Sequence, residues 1–259
     1  MMRAMNDALA YRWRSRALQP VSFPQNLRLD SLLGIDRQKE LLVRNTRQFV
    51  EGLPANHALL TGSRGTGKSS LVKALLNEFG NRGLRLVEVP PHDLIEMPDI
   101  VAPLRKRPER FILYVDDFSV ASNDRSLAAL KTALDGDVEE APENVLIYAT
   151  SNRRHLMPEF TKENEEYRWE GEELHPGESA EEKISLSERF GLWLSFQPFN
   201  QAQYLDLVRA HLRMLGVEVL SPEGERLALR WALSRASRSG RVAKQFARDY
   251  AGQQGLQQL

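Results

Sequence analysis

The chain contains no cysteine. That excludes disulfides, thiolate metal centres and a cysteine nucleophile, and it suits a reducing cytoplasm. It carries no net charge, because 35 Lys and Arg residues balance 35 Asp and Glu. No global field therefore draws it to nucleic acid or to an anionic membrane. No stretch approaches the roughly 20 apolar residues that a membrane-spanning helix needs. The opening MMRAMNDALAYRWRSR also lacks an apolar core of signal-peptide length. The expectation is a soluble cytoplasmic protein without a membrane partner. Its 259 residues, 42% hydrophobic and 27% charged, suffice for one large domain or for a large domain with a small companion.

The neutral total conceals segregation. From Pro158 to Lys183, ten acids face three bases and leave −7; from Ser221 to the end, seven bases face three acids and leave +4. The acidic stretch is weakly patterned and reads as a long exposed insertion. Five runs read as strands: HALLTG (57–62), LRLVEV (84–89), RFILYVDD (110–117), NVLIYATS (144–151) and LWLSFQPF (192–199). Most are continuous apolar runs rather than alternations, the pattern of parallel strands covered on both faces. Helical stretches lie between them, which points to an α/β sheet with right-handed crossovers. After Pro198 the strands stop, and three amphipathic helices come next. The expected organisation is an extended arm over 1–30, an α/β domain over 31–199 with the acidic insertion at about 158–183, and a helical lid domain over 200–259.

GSRGTGKSS, Gly62 to Ser70, follows a predicted strand and opens a predicted helix. Gly62, Gly67, Lys68 and Ser69 fit G-x-x-x-x-G-K-[ST] in the context that motif requires. Gly62, Gly65 and Gly67 let the backbone bend so that successive amides point at a polyphosphate. The helix starting near Lys68 adds the positive end of its dipole. The Lys68 ammonium is placed for the β- and γ-phosphates, and the Ser69 hydroxyl for Mg²⁺. Ser63, Thr66 and Ser70 complete the cradle. The alternative is a glycine-rich turn that binds nothing.

RFILYVDDF supplies acids at the carboxyl end of a strand, where such sheets bind ligands. Asp116 is the candidate Mg²⁺ ligand. Asp117 is the candidate group that orients or deprotonates an attacking water; the plainer reading is that it caps the strand. Asn152 ends NVLIYATSN and is placed to help position that water, unless it only forms a turn. Arg189, before the last strand, is a candidate arginine finger for a neighbouring subunit's nucleotide; a surface ion pair is the bland alternative. Arg241 opens the last helix, where a cation is unfavourable against the dipole, and is a candidate for the β/γ-phosphates.

With these residues in place the chain resembles the AAA+ ATPases. GSRGTGKS resembles their Walker A motif, FILYVDD Walker B, YATSN sensor 1, SERFG the arginine finger and SGR sensor 2. More narrowly, LLGIDRQKELLVRNT, NVLIYATSNRRHLMPE and EEKISLSERFGLWLSF resemble a bacterial AAA+ family of ATP-binding proteins of unknown biological role. The resemblance runs from about Leu32 to Tyr250. It implies a five-stranded P-loop sheet in the order 5-1-4-3-2, a C-terminal helical lid, and ATP or ADP with Mg²⁺ clamped between them. It also places adenine against Leu33 and Ile35. The region after the second strand, PPHDLIEMPDI, has no aromatic residue, unlike the pore loop of polypeptide-threading relatives.

The leading expectation is an ATP-hydrolysing switch or remodeller that assembles with copies of itself through nucleotide-site contacts and acts on a macromolecular partner. A second reading is a nucleic-acid-associated loader. YRWRSR in the arm joins aromatic and basic groups that can stack bases and meet phosphates, and the last two helices are basic. A third is a small-molecule kinase on the same phosphate loop.

Overall fold

Both faces of the central strands are apolar because helices cover both. The computed structural model describes residues 8–22, 24–118, 124–135, 142–152, 168–170, 173–175, 186 and 188–256. Nine strands are present among them: β1 (Ala10–Arg14), β2 (Ala17–Pro20), β3 (Ala58–Gly62), β4 (Leu84–Glu88), β5 (Arg110–Val115), β6 (Val145–Ser151), β7 (Arg168–Glu170), β8 (Glu173–His175) and β9 (Leu192–Phe196). The helices are α1 (Asp36–Val50), α2 (Lys68–Phe79), α3 (Met97–Val101), α4 (Asp124–Asp135), α5 (Gln201–Arg213), α6 (Pro222–Ser234) and α7 (Gly240–Leu256). The acidic insertion lies outside the described residues, apart from the short antiparallel pair β7–β8.

The main sheet has seven strands in the order β2-β1-β4-β5-β6-β3-β9; the expected run 5-1-4-3-2 is present as β9-β3-β6-β5-β4, and β1 and β2 extend it beyond the five strands expected. All neighbours are parallel except β1 and β2. Alternate residues enter opposite layers, as the strand repeat requires. Leu60, Ile112, Tyr114, Leu146 and Tyr148 face one apolar layer, shared with α1, α2 and the three C-terminal helices. Leu59, Phe111, Leu113, Val115 and Ile147 face the other, shared with α3 and α4.

The two extra strands come from the segment expected to be an arm. YRWR alternates aromatic and basic residues, so one face of β1 is apolar. Tyr11 and Trp13 are buried on it, only 1% and 4% exposed. Trp13 Nε1 donates to Glu96 Oε2 at 2.6 Å, and Arg12 Nε meets Glu88 Oε2 at 2.7 Å. Burial of these rings stabilises more than their exposure in an arm could, and the hairpin covers the edge of β4. Neither ring is available to stack on a base, which corrects that reading of YRWRSR.

The C-terminal helices have well-formed starts. Asn200 and Gln203 form a reciprocal capping box on α5, and Ser221 caps α6 ahead of Pro222. No helix of the described residues is long and apolar enough to cross a membrane.

His57 precedes β3, and its Nδ1 accepts the Ile147 amide at 2.9 Å. Burial lowers its pKa to about 4. The unfolded chain, with an ordinary histidine near pH 6.5, therefore takes up a proton that the folded chain refuses between those values. Stability falls as pH drops from about 6.5 to about 4, by up to about 3 kcal/mol from this group. His57→Gln keeps an acceptor but does not titrate. Urea denaturation across that range should show a shallower loss in the variant; equal slopes would refute the assignment.

Candidate functional site

The parallel order dictates where the polar residues meet. β5, β6 and β3 lie side by side and end at the same edge, so the segments leaving all three strands converge there. β3 delivers the glycine loop, β5 delivers Asp116 and Asp117, and β6 delivers Asn152 between them.

The loop bends at Gly62, Gly65 and Gly67, with φ of 123°, 73° and 105°. Two of these glycines are also required by close approach. A Cβ on Gly62 would stand 2.0 Å from the Phe196 carbonyl oxygen of β9, and one on Gly65 would stand 2.9 Å from Ser239. The second contact brings α7 to the loop, where the Gly240 amide donates to the Gly65 carbonyl at 2.9 Å. Arg241 thereby reaches the cleft.

Lys68 is 5% exposed. Its ammonium donates to the Gly62 carbonyl at 2.6 Å, the Ser63 carbonyl at 2.8 Å and Asn152 Oδ1 at 3.3 Å. Burial lowers its pKa to about 8, opposed by the charges of Asp116 and Asp117. The Asn152 amide in turn donates to Asp117 Oδ1. Asp117 sits at φ 54°, a conformation uncommon outside glycine, with its amide bonded to Thr150 Oγ1 at 3.0 Å.

Asp116 Oδ1 accepts from Ser69 Oγ at 2.8 Å and from Thr150 Oγ1 at 2.6 Å. Burial works to raise its pKa, but hydrogen bonds led by that from Thr150 outweigh it and hold it below the usual value. Tyr114 is buried on the same side of β5, with its hydroxyl beside Ser69 and Asp116. That hydroxyl interacts with Asp116, Ser69 and Thr150. A hydroxyl beside a carboxylate suits a hard cation such as Mg²⁺, which binds oxygen and keeps several waters. The described residues hold no cluster of three His, Asp or Glu, so a cation here would depend on phosphate and water for its remaining ligands.

These groups line a cleft of about 700 Å³. Thr66, Ser69 and Ser70 line it, as do Leu33, Ile35, Phe199, Leu207, Met214 and His211. His211 is held below its ordinary pKa by burial and by nearby Lys244. Gly62 and Ser63 sit behind the loop as acceptors for Lys68 rather than on the cleft wall. Arg189 lies away from the cleft: its Nε donates to Asp135 Oδ2 at 2.5 Å.

Sequence reasoning missed Thr150, which binds both acids, and Arg64, whose guanidinium lies 3.7 Å from Asp117. Thr150 sits inside a strand and Arg64 at a variable position of the motif, so neither carries a local signal. Phe199, Leu207 and His211 were missed because only folding brings α5 to the cleft.

Residues 6–254 match the family described as "Protein of unknown function (DUF815)". The chain belongs to this family. The fold of this DUF815 protein is shared with solved structures at low sequence identity. One is RuvB of Thermotoga maritima, as a P216G mutant, with TM-score 0.58 and 18% identity over 87% of this chain and 65% of that one. Another is the same organism's RuvB described as a Holliday junction branch migration motor, with TM-score 0.56 and 16% identity over 87% and 64%. A third is ORC1 of Aeropyrum pernix in complex with DNA, with TM-score 0.57 and 16% identity over 84% and 61%. The DUF815 chain thus spans a little under two thirds of each. No curated protein matches it.

Proposed function

We propose that this protein binds ATP with Mg²⁺, hydrolyses it, and uses the cycle as a switch that remodels a macromolecular partner. The observation that carries the reading is the connected row Lys68–Asn152–Asp117 beside the pair Ser69–Asp116. It sets a cation, a water-positioning amide and a carboxylate around one point at the end of a phosphate-binding loop. Asp117 takes the water's proton, Asn152 orients that water, and Lys68 neutralises charge on the transferred phosphoryl group. Ser69 and Asp116 would hold Mg²⁺, which supplies charge neutralisation at the phosphates. Leu33 and Ile35 take the adenine. Arg241, carried by α7, links phosphate occupancy to the position of the C-terminal helices, which act as a lid.

Arg189 lies outside its own cleft, and this supports service to a second copy of the chain. Arg189→Ala should abolish turnover while leaving ATP affinity unchanged, and wild-type turnover per subunit should rise with protein concentration. Concentration-independent hydrolysis, unaffected by Arg189→Ala, would remove the shared-site part of the reading.

Nucleic acid is the second reading for the partner. Arg230 and Arg238, and Lys244 and Arg248 of α7, are exposed, and the similar ORC1 was solved on DNA. If these residues contact phosphates, DNA binding monitored by fluorescence polarisation should weaken steeply with salt. No binding at low salt would leave a protein partner.

A further inference from the structure

Arg64 is the third residue of the glycine loop, and nothing in the proposed cycle yet uses it. Its backbone is clamped. Gly62 and Gly65 make the bends on either side, and the neighbouring Ser63 carbonyl accepts both Lys68 Nζ and Thr66 Oγ1 at 2.8 Å. Its side chain is not clamped. It is 75% exposed, lines the cleft, and makes a long ion pair with Asp117, itself 59% exposed. A pair so exposed and so long contributes little.

The other Asp117 oxygen accepts from Asn152. Arg64 therefore stands at the outer end of the row that begins at Lys68. Lys68 is placed for the β- and γ-phosphates and Asp117 for the water that attacks the γ-phosphate, so the Asp117 end of the row lies beside the third phosphate of a bound triphosphate. A terminal phosphate carries more charge than one carboxylate and offers paired oxygens to a guanidinium fork. It competes for Arg64 on favourable terms. A diphosphate ends short of that point and leaves the Arg64–Asp117 pair as it is.

We propose that Arg64 reads the terminal phosphate of the nucleotide bound in its own subunit, exchanging Asp117 for phosphate when a triphosphate enters. The exchange has two consequences. The chain distinguishes triphosphate from diphosphate without help from a neighbour, and Asp117 is released to meet water only when there is a terminal phosphate to attack. Arg189 and Arg64 then have separate tasks, one between subunits and one within. The proposal rests on the nucleotide-binding reading above.

Calorimetric titration of the full chain with Mg²⁺ and either a non-hydrolysable ATP analogue or ADP tests it. Arg64→Ala should weaken the analogue by about 10- to 100-fold, the range of a lost charged hydrogen bond, while ADP affinity changes by less than about twofold. Arg64→Lys should restore part of the difference. Because the side chain is exposed, the thermal midpoint of the nucleotide-free variants should match wild type. An unchanged ratio of analogue to ADP affinity in Arg64→Ala, with wild type binding both, overturns the inference and leaves the nucleotide reading standing. A wild-type chain that binds neither nucleotide removes both.

Discussion

Lys68→Ala should cost the protein ATP and ADP alike, with affinity for ATP falling on the order of 100- to 1,000-fold. The side chain is nearly inaccessible, and its charge is already poorly solvated. A phosphate that replaces the Asn152 contact meets an ammonium with little water left to shed, where charge pairing is strong. Both nucleotides carry the β-phosphate that Lys68 faces, so both should weaken, and this separates Lys68 from Arg64. The variant also removes the Lys68 donor from the Gly62 carbonyl and one of the two donors, Lys68 and Thr66, from the Ser63 carbonyl. A stability loss of about 1–3 kcal/mol is expected from that, and urea denaturation beside the titration measures it. A folded variant with wild-type affinity would show that the loop does not grip phosphate.

Gly62→Ala should destabilise the fold by at least about 4 kcal/mol, beyond the usual range of single substitutions. Two costs coincide. The residue sits at φ 123°, which L-residues avoid, and its new Cβ would lie 2.0 Å from the Phe196 carbonyl oxygen. That oxygen belongs to strand backbone and cannot rotate aside. Gly62 pairs with Phe196 in the β3–β9 ladder, so relief requires the sheet itself to open. Gly83→Ala provides the control, because Gly83 has φ 91° and nothing within 4 Å of the added carbon. It should cost only the conformational part, about 1–2 kcal/mol. Equal losses at the two positions in chemical denaturation would mean that the clash relaxes freely.

The glycine loop was legible because its instructions are contiguous. Gly62, Lys68 and Ser69 lie on one turn of chain, and their roles come from local backbone geometry. The strands leading to Asp116 and Asn152 were legible because burial on both faces demands unbroken apolar runs. The arm was misread for a related reason. YRWR carries its signal in alternation, and the same aromatic and basic residues suit either a solvated nucleic-acid contact or the edge of a sheet. Only a partner strand decides between them, and β4 is more than 70 residues away. The cleft's apolar wall was half-seen: Leu33 and Ile35 precede the loop, while Phe199, Leu207 and His211 come after the last strand.

Sequence alone determined the local parts of this protein: a glycine-rich strand-to-helix turn, apolar strands with acids or an amide at their ends, and capped amphipathic helices. Each depends on neighbours along the chain. Tertiary structure alone decided which of these parts meet. It set β6 between β5 and β3, so that Asn152 bridges Asp117 and Lys68. It brought α7 onto Gly65, buried Trp13, and left Arg64 resting on Asp117. Those contacts join residues far apart in the chain, and they form only once the sheet has chosen its order and buried its two faces.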